Sequence, residues 1–270
     1  MENFADYILQ EKNLAGKMEI EYYLARKSKI FFDKSVIFKT EIARLFLEYM
    51  EIDIDRNLVL TACLLCNCKK VDNAQNMGKL QLYAKEGAEY LENFGFEKRF
   101  CKICEEVNRY SNSNPREKES DILELVDQFG GMLLDREERI GFKPDEALVL
   151  LEHRNLRDVY NRYLESFIEF VKEIEQIQMN ETVEMSALRR LTKIHNDAPN
   201  VVSFMKKVIY EFEPKVDELI FQNREEIRNK MLQDNEEDSK IPLFSETTTK
   251  KIMEQIESEK LITKAKVNGE

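Results

Sequence analysis

The stretch Leu58-Val59-Leu60-Thr61-Ala62-Cys63-Leu64-Leu65-Cys66-Asn67-Cys68-Lys69-Lys70-Val71 decides the fold. It opens as an apolar run and stops abruptly in cysteine, asparagine and two lysines. An apolar run of this kind reads as a buried helix, and its polar end reads as a last turn delivered into a cleft. Just before it, Ile52-Asp53-Ile54-Asp55 supplies a turn and an aspartate N-cap.

Working outward, Ile37, Ile42, Leu45, Phe46 and Tyr49 recur at helical spacing between Val36 and Met50. Residues 2–28 carry Phe4, Tyr7, Ile8, Leu14, Met18, Ile20, Tyr22, Tyr23 and Leu24, the pattern of one or two short amphipathic helices that cap the next domain. Downstream, Asp72 to Met77 is a polar loop. Val159, Tyr160, Tyr163, Leu164, Phe167, Phe170, Val171 and Ile174 line one face of a long helix. After a polar break at Met179-Asn180-Glu181-Thr182, a helical tract runs to Ile194. Asp197-Ala198-Pro199-Asn200 then starts a helix faced by Val202, Met205, Val208, Ile209 and Phe212, which Pro214 should interrupt. Asp234 to Lys240 is a charged linker, and Thr248 to Ile262 reads as a short amphipathic helix in a tail.

The 270 residues suffice for one large or two modest cores without metal or disulfide staples. Eight glycines, five prolines and no tryptophan, with abundant Glu, Leu, Lys and Ile, predict an all-α chain. A formal charge of −11, from 52 acidic against 41 basic residues, argues against a broad nucleic-acid or anionic-lipid footprint. No apolar run approaches the roughly 18 to 20 residues of a spanning helix, and Met1 to Asn13 is acidic where a secretory leader would be basic. The expected location is the cytoplasm, where the five cysteines should be free thiols.

The segment Ala62 to Val71 resembles, without a gap, the AALLHDIGKI signature of the HD-GYP branch of the HD-domain phosphohydrolases. Where that signature has its His and Asp, this chain has Cys66 and Asn67, and the signature's Lys is Lys70. Leu80 to Leu91 is similar to the family's HPxxGAxxL helix, with Gly87 kept and Tyr83 at the His position. Asn108-Arg109-Tyr110 stands where the family has HHE, and the short Ser111-Asn112-Ser113-Asn114-Pro115 stands where it has its long GYP loop. Asp121 to Phe129 resembles RILAVADVF, Leu134 to Arg139 resembles SDRPYR, and Phe142 to Leu151 resembles LSPEEALEIL. The likeness covers roughly residues 35–155, four blocks in order. The family's first metal-binding His would fall at about Ser35.

The resemblance implies an HD-domain-like helical bundle. Its parts would be an N-terminal helical cap at 1–34, a degenerate HD-GYP-like domain at 35–178, a C-terminal helical extension at 179–232, and a charged linker and tail at 233–270. It also implies that Cys66, Asn67, Tyr83, Asn108 and Asp127 occupy the ancestral metal-site positions. Asp127 is the one ligand type retained. An HD enzyme uses paired imidazole and carboxylate to hold a divalent metal that acidifies a bound water, and Asn67 cannot replace the carboxylate. Lys70, Arg136 and Arg139 are candidates for a small anion pocket; alternatively the arginines pair with Asp135, Glu137 and Glu138 on a solvated surface.

Two CxxC pairs, Cys63 to Cys66 and Cys101 to Cys104, with Cys68 beside the first, have spacing that zinc can use. Both pairs lie in helical pattern without glycine knuckles, and Cys63 takes the place of a small core residue. Structural thiols are therefore the main reading, beside a replacement metal site or redox chemistry. Cys66 is the thiol expected to face the cleft. His153 and His195 lie away from the ligand positions, and P-loop, GxSxG and HExxH motifs are absent.

Two functions are expected. The first is a catalytically inactive HD-GYP-like signalling protein of bacterial type, a regulatory, ligand-binding or protein-interaction module with no catalytic residue and no cofactor. The second is a metal-dependent phosphodiesterase or phosphohydrolase acting on a cyclic dinucleotide such as cyclic di-GMP, through a divalent metal in a rebuilt site. Expected partners are a protein or a second copy, through the C-terminal helices, and a nucleotide ligand, with neither nucleic acid nor membrane.

Overall fold

The fold is organised round one helix that has almost no solvent side. In the computed structural model, residues 4–28, 30–50, 52–70, 83–108, 115–136, 139–155, 161–179 and 185–220 are described. Helix α3, Lys34–Met50, is buried without a break from Val36 to Leu47, polar residues included. Helices α1 (Phe4–Gln10), α2 (Leu14–Ser28) and α4 (Arg56–Leu65) flank it in the chain, two before and one after. Then come α5 (Tyr83–Asn93), α6 (Lys98–Glu105), α7 (Lys118–Leu133), α8 (Pro144–Asn155) and α9 (Leu164–Ile174). The chain continues as α10 (Ala187–Asp197), α11 (Val201–Lys207), a π turn Val208–Phe212 and α12 (213–220). Among the described residues there is no strand beyond two isolated bridges, so the architecture is all-α.

Helix α3 packs on α4, α7, α9, α10 and α11. Its apolar positions explain why. Phe46 meets Phe167 and Phe170 of α9 at ring distances of 5.1 and 5.4 Å, and Phe129 of α7 closes the cluster at 5.3 Å from Phe167. Each such ring contributes about 1.5–3 kcal/mol by burial. The expected Asp55 cap is present, its carboxylate accepting from the Leu58 N–H at 3.0 Å.

The N-terminal helices dock on α4 through a buried ammonium. Lys17 Nζ donates to the Ile8 carbonyl at 2.6 Å and to Thr61 Oγ1 at 2.7 Å. Burial lowers its pKa to about 8. At the other end, Lys34 Nζ donates to the carbonyls of His195 and Ala198 at 2.7 and 2.8 Å, satisfying the open C-terminus of α10.

Several expectations are corrected. Helix α4 ends at Leu65, and Cys66 to Lys69 form turns rather than further helix. The expected helix from Val159 begins at Leu164, because Asn161 to Tyr163 make a turn in which Asn161 Oδ1 accepts from the Tyr163 N–H. Pro214 does not interrupt the C-terminal helix. The Glu213 N–H bonds to the carbonyl of Val208, five residues back, and this wide turn relieves the clash a proline makes with the carbonyl four residues earlier. On the expected faces, Leu164, Phe167, Phe170, Val171 and Ile174 are buried, as are Met205, Val208 and Phe212, while Val202 and Ile209 are half-buried. No helix of the described residues is long and apolar enough to cross a membrane. The polar break at 180–182, the linker at 234–240 and the tail helix at 248–262 lie outside the described residues, as do Arg109, Tyr110, Glu137 and Glu138.

Candidate functional site

The end of α4, the middle of α7 and the first half of α3 converge on one carboxylate. Asp127 of α7 accepts from Lys39 Nζ of α3 at 2.6 Å and from Asn67 Nδ2, just past α4, at 3.3 Å. The Lys39 side chain is 7% exposed and that of Asp127 is 22% exposed. Burial alone would raise the Asp127 pKa, but the ammonium groups of Lys39 and Lys70 and the two hydrogen bonds hold it well below the usual carboxylate range. Asn67 Oδ1 is buried and has no hydrogen-bond partner among the described residues.

Two adjacent glycines let the lysine in. A Cβ on Gly130 would stand 2.8 Å from Lys39 Cγ, and one on Gly131 would stand 3.9 Å from Lys39 Nζ and 3.3 Å from Arg136 Nη2. A Gly-Gly pair inside a helix costs roughly 0.5–1 kcal/mol per residue against alanine. Here the missing side chains are the channel through which Lys39 crosses α7.

Lys70 and Arg136 complete the pocket. Lys70 Nζ lies 5.7 Å from the centre of the buried Tyr83 ring. The neighbouring Lys39 charge, then burial, and further the Arg136 charge lower its pKa, while Asp127 opposes them. Among the described residues no side chain accepts a hydrogen bond from Lys70. The exposed Arg136 reaches the Gly131 carbonyl at 3.5 Å. Lys39 and Lys70 therefore act on one carboxylate, with Arg136 beside Lys70, a local cluster of positive charge in a chain of net charge −11. Arg139, expected in this pocket, is turned elsewhere: it donates to the Met132 and Gly131 carbonyls at 3.0 and 2.9 Å and lies over Phe142. Neither arginine makes the expected pairing with Asp135, whose carboxylate accepts from the Gly141 N–H at 2.7 Å.

The cysteines are buried thiols. Cys66, expected to face the cleft, is 3% exposed and points its sulfur at the Cys63 carbonyl, 3.7 Å away. Cys68 donates to the Gly87 carbonyl at 3.8 Å and Cys101 to the Phe96 carbonyl at 3.7 Å. Burial pushes Cys101 up to about 11 and Cys63, Cys66 and Cys104 further. Gly87 fits the close approach of α5 to the end of α4, since a Cβ there would stand 3.3 Å from Cys68 Sγ. Among the described residues no three His, Cys, Asp or Glu side chains group as a metal ion requires.

The donor set round Asp127 does not fit a divalent metal: the carboxylate already carries an ammonium, Asn67 is a neutral amide, and the nearby thiol of Cys66 is held protonated. Asn108 is half-buried in the turn after α6. His195 lies between Phe38 and Phe204, with ring centres at 5.6 and 5.2 Å, and burial lowers its pKa, so it serves packing. His153 Nε2 is buried on α8 without a hydrogen-bond partner among the described residues. Sequence reasoning missed Lys39. The signal was available: Lys39 lies one helical turn beyond Ser35, and Gly130-Gly131 in a helix calls for something passing over it. No family model, curated protein or solved structure matches the chain.

Proposed function

We propose that this chain is a non-catalytic, HD-GYP-like helical module that works by binding, with the cationic pocket of Lys39, Lys70 and Arg136 as its ligand site. The observation that carries the reading is the Lys39 ammonium, 2.6 Å from the only carboxylate retained at an ancestral ligand position. A metal enzyme needs that carboxylate free to hold its cation. Here a side chain of α3 supplies the positive charge instead, and the two further cations beside it favour an anionic ligand such as a nucleotide. Regulation of a partner protein, in the cytoplasm, is the role such a module would serve.

The test is metal analysis of the purified chain together with hydrolysis of cyclic di-GMP and of a generic phosphodiester, with manganese, iron or zinc added. No turnover is expected. A thermal-shift screen with mono- and dinucleotides should raise the midpoint for at least one of them, since a ligand at 100 times its dissociation constant adds about 2.7 kcal/mol when it binds only the folded state. Metal-dependent turnover lost in Asp127→Asn would overturn the reading in favour of a phosphodiesterase.

A further inference from the structure

Away from this pocket, Arg44 of α3 is asked to neutralise more charge than it carries. Its Nε and Nη2 hold the fully buried Glu41 carboxylate at 2.8 to 3.1 Å, and its Nη1 holds Asp217 at 2.9 Å. Glu213 stands 3.8 Å from Nε, too far for a hydrogen bond, and its Oε1 is buried without a partner among the described residues. Glu213 and Asp217 are four residues apart on one face of α12, where like charges repel. They flank the apolar stripe Val208, Phe212, Val216 and Ile220, which is buried.

We propose that the segment Val208 to Ile220 is a latch worked by one proton on Glu213. With the proton present, Glu213 shares it with Glu41 and the segment closes on α3; without it, three carboxylates face one guanidinium and the segment lets go. The π turn immediately before Glu213 is the hinge, because a five-residue hydrogen-bonded turn holds less well than the α-helical ladder on either side. Burial first, and then the Glu41 charge, with Arg44 opposing, push Glu213 up to about 9. Lys12, Arg56, Asn57 and Leu60 line, with Glu213, a cavity of about 440 Å³. Arg56 is engaged by Glu48, so it does not discharge the cluster. Letting go would open this cavity on the side that Glu213 walls.

Hydrogen exchange by mass spectrometry tests the latch on the full chain. After correction for intrinsic exchange, protection of residues 208–220 should fall by up to tenfold per pH unit from about pH 5 upward, the slope of one proton. It should level off above about 9, where the Glu213 carboxyl is ionised in the closed segment as well. In Glu213→Gln it should stay flat throughout, while α4 stays protected in both proteins. Asp217→Asn, at a half-exposed position, should hold the segment to higher pH by removing one of the three carboxylates. A fall in Glu213→Gln parallel to that of the unaltered chain, equal protection of 208–220 in the unaltered chain at pH 6 and pH 9, or no effect of Asp217→Asn would each overturn the proposal.

Discussion

Lys39 turns a position that reads as helix surface into the counter-ion of the site. Lys39→Met should cost about 3 kcal/mol in urea denaturation, the low end for breaking a buried pair because Asp127 keeps some solvent. Adding Asp127→Leu should restore most of the loss. A Lys39→Met protein as stable as the parent would show that Asp127 needs no counter-charge. The pH dependence has a definite sign. The Asp127 pKa is depressed on folding, so its contribution is present above the ordinary carboxylate value of about 3.9 and is lost as pH falls below it. The cysteines give a second expectation: at pH 8 a thiol reagent should modify fewer than one of the five in the native chain and all five in denaturant. At this scale the sequence was legible where residue type alone decides. Asp55 as a cap comes from type and spacing, and Gly87 as a close-packing residue from the resemblance alone. The cation at Asp127 comes from neither, because α3 and α7 are 88 residues apart at the contact and only the fold brings them together.

Helix α7 carries a testable exception to helix propensity. Gly130→Ala would ordinarily stabilise a helix by roughly 0.5–1 kcal/mol. Here it should destabilise, since the new Cβ would meet Lys39 Cγ at 2.8 Å, near the stem of the side chain rather than its free end. In a Lys39→Ala background the same change should become neutral or favourable, and calorimetry of the four proteins gives the coupling directly. An unaltered effect in both backgrounds would mean that the glycine pair does not serve the lysine. Most elements were legible from periodicity, because apolar stripes at 3.6-residue spacing are what packing requires. Periodicity failed where polar residues are buried. Lys39, Glu41 and Arg44 read as the wet face of α3, yet α7 and the C-terminal segment cover them. It failed again at Pro214, since nothing in the pattern announces the π turn that accommodates it.

Over the whole molecule, buried ionisable groups set a pH optimum. Glu21 of α2 is fully buried, with neither carboxyl oxygen hydrogen-bonded among the described residues, and burial raises its pKa well above normal. A raised carboxyl pKa gives stability that is complete below about 4.3 and declines as pH climbs toward the folded value. Glu21→Met should therefore gain about 1–3 kcal/mol at pH 8 and distinctly less at pH 5, measured by denaturation at both. Equal gains at the two pH values would place the effect in packing instead. Together with the loss expected from Asp127 at low pH, the parent should be most stable in mildly acid solution. The contact between Arg44 and Asp217 has a consequence in time as well. The two residues lie 173 positions apart, so at about 5–20 residues per second a ribosome needs roughly 9–35 s after making Arg44 to supply its partner. For most of that interval the nascent α3 has Phe38 without His195, and for its first part Phe46 without Phe167 and Phe170, a period in which a holding chaperone has something to hold.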